Sequence, residues 1–497
     1  MRLQTEFPNV TYRPPALSKK TLDSLDHLIL LTAPDLDAVR GFAYGETIVA
    51  RLRRASRKPD AEPFVTDLPN ARATRVALAG VKPDIGAFDL LALARQLVAR
   101  QREASARRLA LATTGLEPVL AARALEALVS AALAGMTLPS FKSKRDDKPA
   151  LKEIVLCTGR APAWLARALA EARGNHLARS LTVLPPNELT PASYRKNVEQ
   201  LARRHRWQMR FYDLKQLKKL RAGAFLAVAQ GSPEPDAGIL HLRYRPAKAK
   251  RHTLALVGKG ICFDTGGTNL KPARHMHGMH EDMEGSAVAL GTLLALTELK
   301  VDFSIDCWLA LAQNHIGPRA YRQNEVVTAA NGTTIEVIHT DAEGRMVLAD
   351  TLTLATRARP SLVIDYATLT GACVAALGTR MSGAFTNRDW LPLLIKSGVE
   401  SGERVWPFPL PQDYETLLKS EIADIKQCVL ENEADHILAA LFLKKFLAHD
   451  PAWIHIDLAA GNHKGGLAHV PSDVTGFGVR YTLNLLLDQN LLNQKEN

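Results

Sequence analysis

Four carboxylates are the residues to explain first. Asp264, Asp282, Asp341 and Glu343 lie in three segments, VGKGICFDTGGTNLK (257–271), HEDMEGSA (280–287) and HTDAEGRMVLADTL (339–352), which hydrophobic runs surround. Carboxylates that converge at the ends of buried strands repel one another and lose hydration, so something strongly positive must sit among them. A pair of divalent metal ions, held about 3.5 to 4 Å apart by bridging and terminal carboxylates, answers that need. Oxygen ligands of this kind favour zinc, manganese or magnesium over copper or an iron–sulfur cluster. Asp341 and Glu343 are two residues apart, so at an extended strand end both point to one side. Lys259 and Lys271 bracket Asp264, and Arg345 follows Glu343 by two. One role for these cations is to neutralise the carboxylates as salt-bridge partners. The other is chemical: a lysine beside dications can lose its proton and coordinate. A second lysine can polarise a substrate carbonyl, while the arginine positions an anion or a developing gem-diolate. Spacing alone leaves both roles open.

The elements that must position these groups follow from hydrophobic periodicity. Residues 27–33 (HLILLTA), 75–81 (RVALAGV) and 153–159 (EIVLCTG) read as strands, and 87–101 and 116–135 as amphipathic helices. They make a small N-terminal α/β domain, residues 1–170, with no nucleophile, metal cluster or phosphate loop. A helix over 161–178 leads into a proline-broken stretch, and Thr190-Pro191 starts another helix. Residues 171–497 are expected to form a larger catalytic domain. GAFLAVAQGS (223–232), GILHLRYRP, HTLALVGKG, DFSIDCWLALAQ, TIEVIHTD, SLVIDYATLTG and WIHIDLAA read as its strands, with helices near 286–299 and 346–357. The fold class is α/β, with a mostly parallel sheet flanked by helices. Functional groups in such sheets collect at the carboxyl ends of the strands, where each of the three motifs is expected.

Bulk properties narrow the function classes. At 497 residues the chain is too long for one core. Its 46% hydrophobic and 23% charged residues are those of a globular protein. Neither a signal-peptide core nor a membrane-spanning run is present, so a cytoplasmic protein with no membrane association is expected. Cys157, Cys262, Cys307, Cys373 and Cys428 are scattered and read as free, buried thiols. The net charge of +12 is uneven: residues 1–180 hold 28 Lys and Arg against 18 Asp and Glu, or +10 of it. Its clusters, residues 51–58 and 141–148, can attract nucleic acid, but without interleaved aromatics a solvated surface is the better reading.

The chain resembles the cytosolic leucyl aminopeptidase family. The family's NTDAEGR hallmark stands here as HTDAEGR (339–345), its VGKG..FD.GG....K segment as 257–271, and its ADM.GAA segment as 281–287. RSLTVLPPNELTP, YATLTGA (366–372) and WIHIDLAAG (453–461) extend the likeness from about residue 178 to the C-terminus. The resemblance implies that Lys259, Asp264, Asp282, Asp341 and Glu343 ligate two divalent ions, manganese or zinc. Asp264 and Glu343 would bridge them, and Asp341 would add its backbone carbonyl. It implies that Lys271 stabilises the oxyanion and that Arg345 holds a bicarbonate ion acting as general base. Met279, Leu369 and Gly371 would line the substrate pocket. Peptides would lose their N-terminal, leucine-like residue, and the chain would form a homohexamer.

Several positions depart from that pattern. PARHMHGMHE carries His275 and His277 where the family has Asn and Asp; solvent-facing or hydrogen-bonded histidines are commoner than an extra ligand. Glu284 replaces a glycine just after Asp282, which can shift metal affinity or narrow the cleft. CVLENEADHILAALFL (428–443) replaces a glycine-rich turn that lines the side-chain pocket, so specificity for leucine is open. Other classes compete. A DNA-binding or structural assembly protein of the same family is the alternative; lost ligands would mark it, yet all seven positions are retained. A nucleotide-binding oxidoreductase fails because Phe263 stands where GxGxxG needs glycine, and a P-loop fails because Ile261 follows Gly260. A Ser/His/Asp hydrolase lacks a GxSxG elbow.

Overall fold

The computed structural model describes residues 6–56, 62–144, 149–249, 252–431 and 433–494. Residues 57–58 of the first basic cluster and 145–148 of the second lie outside them, as does Asn432 of the altered turn. Two compact units emerge: one from residues 1–172, 399–402 and 464–473, the other from 173–398, 403–463 and 474–497.

The first unit is built on strands β1 (Asn9–Tyr12), β2 (His27–Thr32), β3 (Phe64–Asp67), β4 (Arg75–Gly80), β5 (Arg108–Thr114) and β6 (Glu153–Leu156). Their order is β1-β6-β5-β2-β4-β3, and only the β3–β4 edge is antiparallel. Alternate residues of a strand face opposite sides, so a near-continuous apolar run such as HLILL needs cover on both. Ile29 and Leu31 pack with the helices Ala87–Glu103 and Pro118–Ala134. Leu28 and Leu30 pack with Ile48, Val49 and Leu52 of the helix Gly45–Arg54.

The second unit carries β7 (Gln208–Asp213), β8 (Gly238–Tyr244), β9 (Thr253–Asp264), β10 (Ser304–Asn314), β11 (Val326–Thr328), β12 (Thr334–Glu336), β13 (Leu362–Ala367), β14 (Ser382–Thr386), β15 (Val405–Pro407), β16 (Ile425–Lys426) and β17 (Ala452–Asp457). Eight of these form one sheet in the order β15-β14-β17-β13-β9-β10-β8-β7, and β11, β12 and β16 form a small second sheet. The four central strands β17, β13, β9 and β10 run parallel. Antiparallel pairings join β10 to β8, β8 to β7 and β14 to β17.

Two glycines show how the central strand β9 is sandwiched. A Cβ on Gly258 would lie 2.4 Å from the Cα of Ser286, so the helix Glu284–Glu298 packs directly on that face of the strand. Lys259, next along the strand, points the other way, and its stem passes under Gly344 of the helix Glu343–Thr356. Below it Val257 and Ile261 join Met346, Val347 and Leu348 of that helix in one core cluster. Burial of each such side chain contributes about 1.5 to 3 kcal/mol.

Two local expectations are corrected. Residues 223–232 form no strand; Gly223–Ala229 is a helix, because a short alanine-rich run fits either period and alanine has the stronger helical preference. Asp341 and Glu343 do not sit on an extended strand end. Asp341 lies in a turn and Glu343 opens the helix Glu343–Thr356, so their convergence comes from the turn into the helix. The HEDMEGSA segment likewise runs from a short 3-10 turn, Met279–Glu281, into a helix. Of the three motifs, the first ends a strand, at Asp264.

Candidate active site

At the carboxyl ends of the parallel strands the chain gathers charged side chains that the fold buries. Asp264 closes β9, and its Oδ1 accepts from the Gly266 amide and from Asn314 Nδ2 at the end of β10, each at 2.8 Å. Asn314 Nδ2 also donates to the Thr340 carbonyl at 3.0 Å, which ties the HTDAEGR turn to the same strand end. Tyr321 Oη donates to that carbonyl at 2.7 Å, and Thr340 Oγ1 donates to the Gly266 carbonyl at 2.6 Å. The loop after β13 brings Thr368, whose Oγ1 donates to Asp282 Oδ1 at 2.8 Å. Asp457, at the end of β17, holds that loop by accepting from the Leu369 amide and from Thr370 Oγ1.

Lys259 Nζ lies 2.7 Å from Asp282 Oδ1 and 2.9 Å from Glu343 Oε1, and donates to the Thr368 carbonyl at 2.9 Å. Lys271 Nζ lies 2.9 Å from Asp264 Oδ2 and 2.5 Å from Asp341 Oδ1. Two ammonium groups are thus shared among four carboxylates. Burial alone pushes the Lys259 ammonium down, but Asp282, Glu343 and Asp264 outweigh it and hold the pKa above the usual amine range. Lys271 is raised in the same way by Asp264, Glu343 and Asp341. Burial pushes Asp282 up to about 8 against the pull of Lys259, and Asp341 up to about 6 with Asp264 adding to the shift. Glu343 is raised by burial and by Asp264. The cluster is therefore short of positive charge.

Its geometry fits a cation. Asp264, Asp341 and Glu343 each offer a carboxylate oxygen within 4.8 Å of the others. Asp282 Oδ2 and Glu343 Oε2 are buried with no hydrogen-bond partner among the described residues. Leaving buried carboxylate oxygens unmet costs several kcal/mol unless a charge answers them. Oxygen donors of this kind suit a divalent cation.

Arg345 sits two residues into the same helix, with its side chain only 2% exposed. Its Nη2 lies 2.7 and 2.9 Å from the two oxygens of Asp435, and its Nη1 donates to the Gln427 carbonyl at 3.1 Å. Gln427 in turn accepts from the amides of Ile338 and His339 and donates to the Ala342 carbonyl. Met279 and Leu369 are half-buried, while Gly371 is exposed at the start of the helix Gly371–Leu377.

Among the departures, His275 and His277 are exposed, and Arg274 Nε donates to His275 Nε2 at 3.0 Å. Glu284 is buried beside Gly461, and burial, with Glu281 adding, pushes its carboxyl up to about 8. The five cysteines are buried and unpaired. No helix among the described residues is long and apolar enough to cross a membrane. Asn314, Gln427 and Asp435 lie outside the motifs, and Thr340 and Thr368 lie within HTDAEGR and YATLTGA without being singled out as site residues. Strand pairing and loop packing bring them in, and the open salt-bridge role of Arg345 is the one hint of an acidic partner.

Residues 176–483 match the family described as the cytosol aminopeptidase family, catalytic domain. A probable cytosol aminopeptidase of Roseiflexus castenholzii is 37% identical over 436 residues, 84% of this chain and 87% of that protein. One from Parasynechococcus marenigrum is 38% identical, over 86% of this chain and 89% of its own length. Among solved structures, the bottromycin maturation enzyme BotP in complex with Mn aligns with a TM-score of 0.81 and 32% identity, covering 95% of this chain and 100% of BotP. A mutant tomato leucine aminopeptidase aligns with a TM-score of 0.85 and 27% identity, covering 97% of each chain. The chain belongs to the cytosol aminopeptidase family and is a metal-dependent exopeptidase.

Proposed function

We propose that the chain is a two-metal aminopeptidase that releases apolar, leucine-like N-terminal residues from peptides. The observation that carries this reading is the convergence of Lys259, Asp264, Asp282, Asp341 and Glu343 on one buried spot where two carboxylate oxygens lack protein partners. These five residues would hold two divalent ions. Divalent ions bound there supply Lewis-acid activation of water and of a carbonyl oxygen. The Mn in the BotP complex and the lysine–carboxylate donor set favour manganese or zinc.

The chain's own groups do the rest. Lys271, ion-paired with Asp264 and Asp341, would meet the negative charge that grows on the substrate oxygen. Arg345, paired with Asp435, follows Glu343 by two residues on the same helix. Met279, Leu369 and Gly371 would receive the N-terminal side chain, and the tomato enzyme's name supports a leucine-like preference. A free α-amino group is expected to be required, which limits cleavage to one residue at a time. Retention of the whole charged constellation favours a peptidase over a DNA-binding or structural assembly protein. A cytoplasmic homohexamer acting on peptides completes the reading. A panel of aminoacyl amides assayed with manganese or zinc tests it: Leu-amide should be cleaved and its N-acetylated form should not. Equal cleavage of both would refute it.

A further inference from the structure

The pairing of Arg345 with Asp435 bears on how the reaction is supplied with a base. A guanidinium buried to 2% exposure must meet an anion, since leaving it alone costs several kcal/mol. In this chain the anion is part of the protein. Asp435 is the first residue of the helix Asp435–Lys444, entered through Ala434 in the left-handed region (φ 51°), and an acid in the first turn suits the helix dipole. Both its oxygens rest on Arg345 Nη2. Nη1 is taken by the Gln427 carbonyl, which leaves Nε as the one guanidinium nitrogen without a partner among the described residues. An exogenous bicarbonate at Arg345 would have to displace a bidentate carboxylate. The residues present therefore do not fit that ion.

Asp435 is also placed differently from the arginine that holds it. Its side chain keeps 16% exposure, so the pair runs from a buried cation to a carboxylate at the edge of open space. The pair is tied to the catalytic cluster through the backbone, since Arg345 follows Glu343 by two residues on one helix. Gln427 fixes its other side by bonding Ile338, His339 and Ala342 of the HTDAEGR turn.

We propose that Asp435 takes the seat a small free carboxylate would occupy at Arg345, and that it is the chain's own proton acceptor for the attacking water. The proposal rests on the aminopeptidase reading above. In the step, a water proton passes to an Asp435 oxygen as the water oxygen bonds the scissile carbonyl carbon. The carbon–nitrogen bond then breaks, and the same proton goes to the departing amine, which returns Asp435 to the carboxylate.

The test compares the full-length chain with Asp435→Ala and Asp435→Asn on Leu-amide with manganese, in carbonate-free buffer and with added bicarbonate or formate. A parallel readout needs no activity: carbon-13 NMR line broadening of labelled bicarbonate by each metal-free protein. The unaltered chain should turn over at a rate that bicarbonate leaves unchanged and should not broaden the signal. Asp435→Ala should lose about 100-fold in kcat, the range for removal of a general base. It should regain at least about tenfold with formate or bicarbonate, and it should broaden the signal. Asp435→Asn, which keeps the volume, should be as slow and be rescued less. Bicarbonate stimulation of the unaltered chain, or an Asp435→Ala variant as fast as the parent, overturns the proposal. If Asp435→Ala does not fold, as judged by circular dichroism, the bicarbonate response of the unaltered chain and of Asp435→Asn decides. Failure of the unaltered chain to cleave any aminoacyl amide would instead sink the aminopeptidase reading.

Discussion

Replacing Gly344 by alanine puts a methyl group where the stem of Lys259 runs. A Cβ there would lie 2.6 Å from Cε, 2.7 Å from Nζ and 2.8 Å from Cδ of that lysine. Non-bonded carbons settle at about 3.5 to 4.0 Å, so Lys259 must retreat by about 1 Å. Its ammonium bridges Asp282 at 2.7 Å and Glu343 at 2.9 Å, and a shift of that size breaks the bridge. A misplacement of about 1 Å in a catalytic constellation costs about 100-fold in rate. Stability should hardly reveal it. Losing a charge-assisted hydrogen bond costs about 1.5 to 3 kcal/mol, while alanine in place of helical glycine returns up to about 1 kcal/mol. Kinetics on Leu-amide over a manganese titration, beside urea unfolding, should show kcat/KM down about 100-fold and weaker metal dependence. The unfolding free energy should stay within about 2 kcal/mol of the parent. A Gly344→Ala protein with parental kinetics would show that the position of Lys259 does not matter, and the reasoning would be wrong.

Other perturbations test separate parts of the account. Lys259→Met leaves Asp282 and Glu343 without their shared cation, so the metal-free protein should lose about 3 to 5 kcal/mol. Added manganese should restore part of that loss; an unchanged unfolding curve would contradict the pairing. Lys271→Met should lower kcat by about 100- to 1,000-fold, as removal of an oxyanion donor does, with KM nearly unchanged. A rise in KM alone would place Lys271 in binding instead. Asp350 accepts from the amides of Phe225 and Ala330, yet burial pushes its carboxyl up to about 7. Because that lies above its unfolded value of about 3.9, the folded chain keeps a proton that the unfolded chain has lost. Stability should therefore fall as pH rises from about 4 to 7, by up to about 4 kcal/mol from this group. Asp350→Asn should remove that slope in urea titrations across the window; an identical slope would refute the assignment.

How far the sequence could be read depended on whether chemistry and neighbours coincide. Lys259, Asp264, Asp282, Asp341 and Glu343 are legible because each sits in a charged motif set among hydrophobic runs, where burial makes a charge conspicuous. The alternation of apolar runs with helical periods pointed to the α/β fold, and the parallel centre of the second unit's sheet follows from strands apolar on both faces. The local geometry of Asp341 and Glu343 was not legible, since period-two reasoning holds only where the backbone is extended, and here it turns into a helix. The run 223–229 went astray for a related reason: seven apolar or small residues satisfy helix and strand alike. Asp435 is 90 residues from Arg345 in the chain, and nothing local separates it from Glu431 or Glu433 as the partner. Only the path of the altered turn decides that.

On the proposed reading, these buried side chains hold the metal on which cleavage depends. Metal content by mass spectrometry, taken on the same samples as Leu-amide turnover, tests it directly in the parent chain and in Asp282→Asn. The parent should carry about two divalent ions per chain, as a two-metal site requires. The variant should lose at least one of them and fall about 1,000-fold or more in rate, as should the parent after chelation. Turnover that survives both the substitution and the chelator would contradict the account.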